Sequence, residues 1–200
     1  MLSELLIKKG SWSSTMGEPQ SDVALINRIA AGDDAALHEL NAEYGRRLFA
    51  YALRLTGDPA KAEDVVQDVL VVVWRSAGRY RGEGRLIAWL LGIVHHTAMN
   101  SMRHIALSIS DEMEETLPSD SKSPESQAQQ KQQNEWVRKG LQGLSPEHRE
   151  VLELMFYQGL NLEEISKVCQ CPLGTVKSRL AYARQHLKGI LSRQGLEEWQ

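Results

Sequence analysis

The sequence predicts an all-α protein of two small helical domains joined by a flexible acidic linker. Three observations predict it. Apolar residues recur at helical spacing through 22–104 and again through 131–194. Helix stop and start signals punctuate both stretches, most clearly Thr56-Gly57-Asp58-Pro59 and Leu144-Ser145-Pro146. Between them, residues 105–130 lose periodicity and become rich in Ser, Glu, Asp and Gln, with Pro118 and Pro124. At 42% hydrophobic residues in 200, the chain can bury real cores, which excludes a wholly disordered protein.

In order along the chain, residues 1–21 read as a disordered N-terminal extension. Leu5-Leu6-Ile7 is too short an apolar run for a signal peptide, and Met16 is a second candidate start. A short helix spans 22–31 and ends at Gly32-Asp33, where Asp33 can cap the next helix. That longer helix reaches about residue 55, with Leu37, Leu40, Tyr44, Leu48, Ala52 and Leu55 on one side. Gly57 then serves as C-cap, Asp58 as N-cap and Pro59 as first helical residue. The run Val69-Leu70-Val71-Val72-Val73-Trp74 has strand propensity. Val65/Val66, Val69/Leu70 and Val72/Val73 nevertheless recur at helical spacing below a strong cap, which predicts one helix over 60–77. A loop rich in glycine and arginine occupies 78–85. The last helix of this half turns Leu86/Ile87, Leu90/Leu91, Ile93/Val94 and Thr97/Ala98 inward. In the second half Trp136, Val137, Gly140, Leu141 and Leu144 form a stripe. Ser145 then caps a helix with Pro146 at its first position and acid in its first turn; it runs from 146 to 157 and ends near Gly159. Residues 195–200 are a short tail that includes Trp199.

Net charge is only −3, so overall charge does not announce a nucleic-acid partner; the asymmetry is local. Residues 108–126 carry six acids and one lysine, whereas 75–104 carry five arginines and one glutamate. Cys169 and Cys171 are the only cysteines, too close on a helix end to pair with each other. They read as small buried hydrophobes in a reducing, cytoplasmic setting. No metal site is expected, because no histidine stands near them at ligand spacing and adjacent His95 and His96 do not face each other on a helix. No apolar stretch has membrane-spanning length. No nucleophile, acid–base pair or phosphate loop argues for an enzyme, and no cofactor is implied.

The segment 161–191 has the layout of a helix-turn-helix: a helix at Asn161-Leu162-Glu163-Glu164-Ile165-Ser166-Lys167-Val168, a break at Cys171-Pro172, and a second helix. From 175 to 193 there are five basic side chains and no acidic one. Val176, Leu180, Ala183 and Leu187 share one face and pack inward. Lys177, Ser178, Ala181 and Tyr182 then point outward near the N-terminal end, where such a helix reaches base edges. Thr175 or Gly174 is placed to cap, and the first-turn amides with the helix dipole suit a phosphate. Lys177 can donate to guanine and Ser178 to several bases. Arg179, Arg184 and Lys188 suit phosphates, which set register rather than sequence preference.

Three ordered motifs resemble one family, the extracytoplasmic-function (group IV) sigma factors of bacterial RNA polymerase. Ala62-Glu63-Asp64-Val65-Val66-Gln67-Asp68-Val69 resembles its region 2.2 helix. Tyr80-Arg81-Gly82-Glu83-Gly84-Arg85 with Ala88-Trp89-Leu90 resembles its −10-reading loop and helix. Leu144-Ser145-Pro146 with Arg149-Glu150-Val151-Leu152, closed by Gly174-Thr175-Val176-Lys177-Ser178-Arg179-Leu180, resembles region 4. The resemblance implies region 2 at 22–104 and region 4 at 131–194. It implies that Asp64, Gln67, Asp68, Val71 and Trp74 meet the β′ clamp helices of core polymerase, with the β flap as a further contact. The first three share one polar face of a helix, an acidic patch suited to a basic partner. It assigns the melted −10 strand to Arg79, Tyr80, Arg81, Arg85, Trp89, His95, His96, Asn100 and Arg103. Tyr80 can stack on a base and the arginines can neutralise phosphates, whereas Trp89, among apolar neighbours, favours core packing. It assigns −35 DNA to Arg149, Thr175, Lys177, Ser178, Arg179, Ala181, Tyr182, Arg184 and Lys188. It further implies a linker threaded along the RNA-exit path, an anti-sigma partner, and a monomer when free, without membrane insertion. Ile93-Val94-His95-His96 stands where relatives often have Ile-Ala-Arg-Asn, Asn100 where they often have Asp, and Tyr182 where many have Arg.

Two rival readings use the same residues. A stand-alone helix-turn-helix regulator would bind a palindromic site without polymerase. It leaves the acidic patch and the arginine-aromatic loop without a shared purpose. A nucleic-acid-processing enzyme built on His95 and His96 is the other.

Overall fold

The computed structural model describes residues 19–108 and 143–192. The N-terminal extension before 19, most of the expected linker, the stripe from Trp136 to Leu141 and the tail with Trp199 lie outside the described residues. Among the described residues every regular element is helical, and the chain divides into two compact units.

The N-terminal unit contains α1 (Pro19–Ala30), α2 (Asp34–Thr56), α3 (Pro59–Ser76), a 3-10 turn (Ala77–Arg79) and α4 (Leu86–Ser108). Helices α2, α3 and α4 pack against one another, and α1 lies across α2 and the 3-10 turn. The punctuation works as the sequence suggests. Asp33 accepts from the Ala36 amide at the start of α2, Gly57 closes α2 at φ 68°, and Asp58 accepts from Ala60 and Lys61 ahead of Pro59. The valine-rich run is helical. Ala62, Val65, Val69 and Val73 form its buried stripe. Burying a valine contributes about 1.5–3 kcal/mol, whereas its helix-propensity cost is at most about 0.7 kcal/mol, so packing decides.

The stripes differ at their edges from those expected. On α2 the buried residues are Ala36, Leu40, Tyr44, Leu48, Tyr51, Ala52 and Thr56, while Leu37 and Leu55 are half-buried. On α4, Leu86, Ile87, Leu90, Leu91, Val94 and Ala98 are buried, and Ile93 and Thr97 are half-buried. Helix α4 also continues to Ser108, so the first four residues of the expected linker, 105–108, are helical. Tyr44 donates a 2.7 Å hydrogen bond to Asp22 in the interior, tying α1 to α2.

The C-terminal unit contains α5 (Pro146–Phe156), α6 (Leu162–Val168) and α7 (Leu173–Ser192), with α5 packed on α7. Its core is Val151, Leu152, Leu154, Leu160, Ile165, Val176, Leu180, Ala183 and Leu187. Helix α6 has only seven residues, too few to persist alone. Both its ends are fastened. Asn161 Oδ1 accepts from the Glu164 amide and Glu164 Oε2 accepts from the Asn161 amide, each at 2.9 Å, a reciprocal capping box. At the other end Gln170 adopts φ 50° and the Cys171 amide reaches back to the Ser166 carbonyl, the long bond of a Schellman motif. Ser166 Oγ also donates to the Cys171 carbonyl at 2.6 Å.

Three expectations are corrected here. Helix α7 starts at Leu173, and Pro172 O accepts from the Thr175 and Val176 amides; Gly174 and Thr175 therefore lie inside the first turn and neither is the N-cap. Ser145 occupies the N-cap of α5, but its hydroxyl donates to the Glu147 carboxylate rather than capping a backbone amide. A charged acceptor outcompetes a backbone group. Cys169 and Cys171 are both half-buried rather than core residues.

Candidate nucleic-acid interface and docking face

The exposed side of α3 carries Asp64, Gln67 and Asp68 together, as their spacing requires. The same side continues into Val71, 46% exposed, and Val72, 40% exposed. Trp74 is half-buried beside them in sequence. Val72 is absent from the expected set, although its position four residues after Asp68 was the available signal. An acidic face that runs into exposed valines can attract a basic partner and bury apolar surface against it.

The loop after α3 is a built platform. Tyr80 closes the 3-10 turn through its amide to Ala77 O, and its hydroxyl donates to Gly84 O at 3.2 Å. Burial pushes the Tyr80 hydroxyl above the ordinary phenol range. Its ring lies 5.1 Å from that of Trp89, tilted 47°. Trp89 is half-buried against this ring and is not a core residue, a correction caused by its place in the first turn of α4. Gly82 at φ 69° and Gly84 at φ 91° give the loop backbone conformations that side chains rarely allow. A Cβ on Gly82 would stand 3.3 Å from Val23 Cγ2, so the loop rests directly on α1. Arg79 and Arg81 are exposed and Arg85 is half-buried. Burial lowers the proton affinity of Arg47 on α2, and the Arg85 charge nearby lowers it further.

On α4 the two histidines diverge, as adjacent helical residues must. His95 is half-buried with Nδ1 3.4 Å from the Tyr51 hydroxyl. His96 is exposed and contacts Asn100 Nδ2 at 3.2 Å; Arg103 in turn donates to Asn100 Oδ1 at 3.1 Å. His96, Asn100 and Arg103 thus form one polar ridge. Among the described residues no cluster of His, Cys, Asp and Glu could hold a metal ion.

On α7, Val176, Leu180, Ala183 and Leu187 are buried, and Lys177, Ser178, Ala181, Tyr182, Arg184 and Lys188 are exposed. Thr175 and Arg179 are half-buried. Ser178 Oγ donates to the Thr175 carbonyl. Arg179 Nη1 lies 3.9 Å from Cys171 Sγ, and Arg184 Nη2 lies 3.7 Å from Met155 Sδ. Arg149 donates from Nε to the Leu144 carbonyl at 3.1 Å, which holds its guanidinium at the entry to α5. Sequence reasoning did not single out His148 or His186. Both rings flank Tyr182: His186 stands four residues on along the same helix, whereas His148 meets it only through the packing of α5 against α7.

Comparison with known proteins places this geometry. Residues 40–106 match the model of sigma-70 region 2, and residues 140–189 match that of sigma-70 region 4. The RNA polymerase sigma-H factor of Pseudomonas aeruginosa is 30% identical over 182 residues, covering 86% of this chain and 94% of that protein. The ECF RNA polymerase sigma factor SigL of Mycobacterium tuberculosis is 30% identical over 176 residues, covering 87% of this chain and 99% of its own length. Among solved structures, the sigma factor RpoE of Bartonella quintana, in complex with the anti-sigma factor NepR, aligns with TM-score 0.57 at 28% identity, covering 78% of this chain and 95% of that one. A helical unit matching region 2, a helix-turn-helix unit matching region 4 and full-length relatives leave one conclusion: the chain belongs to the extracytoplasmic-function sigma factors of the sigma-70 family.

Proposed function

We propose that the protein is an alternative sigma factor that binds core RNA polymerase and directs it to a specific set of promoters. The acidic and apolar face of α3 (Asp64, Gln67, Asp68, Val71, with Trp74 behind it) docks on the clamp helices of β′. The Tyr80–Trp89 platform, Arg79, Arg81 and Arg85, and the His96–Asn100–Arg103 ridge hold the non-template strand at −10. The outward face of α7 enters the major groove at −35, with Lys177, Ser178, Ala181 and Tyr182 toward bases. Arg149, Thr175, Arg179, Arg184 and Lys188 fix the backbone register. Residues 22–104 and 131–194 act as two modules on one promoter. Each binds DNA weakly alone; polymerase supplies the spacing that makes their binding cooperative.

The observation that carries the reading is the pairing of a helix-turn-helix with a second unit bearing a docking face of acids and valines. A stand-alone regulator has no use for that face. An anti-sigma protein covering these helices, and a cytoplasmic monomer in the free state, complete the proposal.

The test is run-off transcription from the promoter upstream of the protein's own operon, with bacterial core polymerase and with or without the purified chain. A start-specific transcript that needs the protein and disappears in D64K/D68K is the expected result. No transcript, together with tight binding to DNA by the protein alone, would replace this reading with the stand-alone regulator.

A further inference from the structure

We propose that Tyr182 selects a thymine within the −35 element through its 5-methyl group, and that His148 of α5 positions Tyr182 for this; the inference rests on the −35 role proposed above. Tyr182 is 53% exposed on the outward face of α7. It is nevertheless held on two sides. The His148 ring lies 4.5 Å from it, tilted 38°, and the His186 ring lies 6.2 Å away, nearly parallel at 15°.

His148 is itself fixed. Ser145 Oγ lies 2.7 Å from both Glu147 Oε2 and His148 Nδ1. The hydroxyl has one proton and the carboxylate can only accept. The hydroxyl therefore donates to Glu147, and His148 Nδ1 carries the proton it gives to Ser145. The Ser145 bond is the main reason that the Glu147 carboxyl sits below its ordinary range. This relay sets the plane of the His148 ring. His186 plays the other wall: its Nε2 is buried with no hydrogen-bond partner, so it faces protein rather than a base. A tyrosine clamped before binding loses little rotamer freedom on binding, which favours a selective contact.

The chemistry then narrows the target. A phenol ring cannot make the forked pair of bonds by which arginine reads guanine O6 and N7. Its ring edge is apolar, and the thymine methyl is the one apolar group displayed in the major groove. His148 touches Tyr182 rather than the base, so its role is positioning.

The experiment uses holoenzyme assembled from core polymerase and the full chain. Promoters with a randomised −35 element are selected for binding, and each enriched thymine is then replaced by deoxyuridine, which removes only the methyl. At one position the wild type should prefer thymine about fourfold, the equivalent of one buried methyl. Y182A should bring that ratio to one and Y182F should keep it. H148A should lower the ratio and H148F, which retains a ring, should restore it. Misfolding would weaken thymine and deoxyuridine templates alike and leave the ratio unmoved. A selected element with no enriched thymine, equal binding of thymine and deoxyuridine at every position, or loss of the ratio in Y182F overturns the inference alone. Failure to select any −35 sequence overturns the proposed function and the inference together.

Discussion

Replacing Tyr44 by phenylalanine should destabilise the N-terminal unit far more than the loss of one exposed hydroxyl would. Tyr44 is 4% exposed and its partner Asp22 is 8% exposed. The 2.7 Å bond between them is charge-assisted, and burial and the two carboxylates of Asp22 and Glu43 push the Tyr44 hydroxyl far above the ordinary phenol range. Phenylalanine fills the same space, so no cavity contributes. What remains is a buried carboxylate without its donor, a cost of about 1.5–3 kcal/mol. For a unit of this size each kcal/mol shifts the melting midpoint by about 4–8 °C. Thermal unfolding of the full chain, followed by circular dichroism, should therefore show the transition of the N-terminal unit fall by roughly 10 °C. Asp22→Asn retains an acceptor and should cost less. In the double variant D22N/Y44F the two costs should not add, because they act through one bond. A change in Y44F below about 0.5 kcal/mol, the level of an ordinary surface substitution, would refute the claim that this bond holds α1 in place.

Glu43 provides a test by pH. Burial, chiefly, raises its carboxyl above the ordinary value, so the native state holds that proton more tightly than the unfolded chain does. Its contribution is present below the ordinary carboxylate range and is lost as pH rises through the raised value. Glu43→Gln should therefore be more stable than wild type at neutral pH, with the gap closing on acidification; a gap that stays constant in urea titrations across that range would exclude this. Gly82→Ala places a Cβ in a left-handed conformation against Val23. About 1–2 kcal/mol of strain should result, and permanganate footprinting should show less melted −10 DNA with holoenzyme carrying it. Asn161→Ala removes one arm of the capping box on α6 and should lower the unfolding free energy of the C-terminal unit by about 1 kcal/mol, measured by denaturant titration, with no change in the affinity of D64K-sensitive polymerase docking.

Much of the fold can be read from local signals. Thr56-Gly57-Asp58-Pro59 announces a stop and a start in four residues, and the structure places a left-handed Gly57 and a capping Asp58 there. The inner stripe of α7 follows from spacing alone. The features that escape the sequence are mostly long-range. Nothing local distinguishes Asp22 as a buried partner of a tyrosine 22 residues away, because an acid near a helix start normally reads as a favourable charge for the dipole. The same holds for His148 and Tyr182, which meet only because α5 packs on α7. Gln170 in the left-handed region hides the turn, since glycine or asparagine is the usual marker. The capping box at Asn161 and Glu164 is different: its three-residue spacing is visible in the sequence, and the structure shows that so short a helix needs one. The apolar neighbours of Trp89 suggest a core residue, whereas its position in the first turn of α4 leaves it to pair with Tyr80.

The exposed valines of α3 also bear on how the chain behaves in concentrated solution. A face with Val71 and Val72 in water is the sort of surface on which two molecules could stick together. Asp64 and Asp68 stand on that same face, so bringing two copies together there would oppose carboxylate to carboxylate before any valine touched. The repulsion is long-ranged at low ionic strength and fades as salt shortens the Debye length. Acids suited to a basic partner would therefore also act as a colloidal guard, opposing contact between two such faces while leaving each open to a surface of opposite charge.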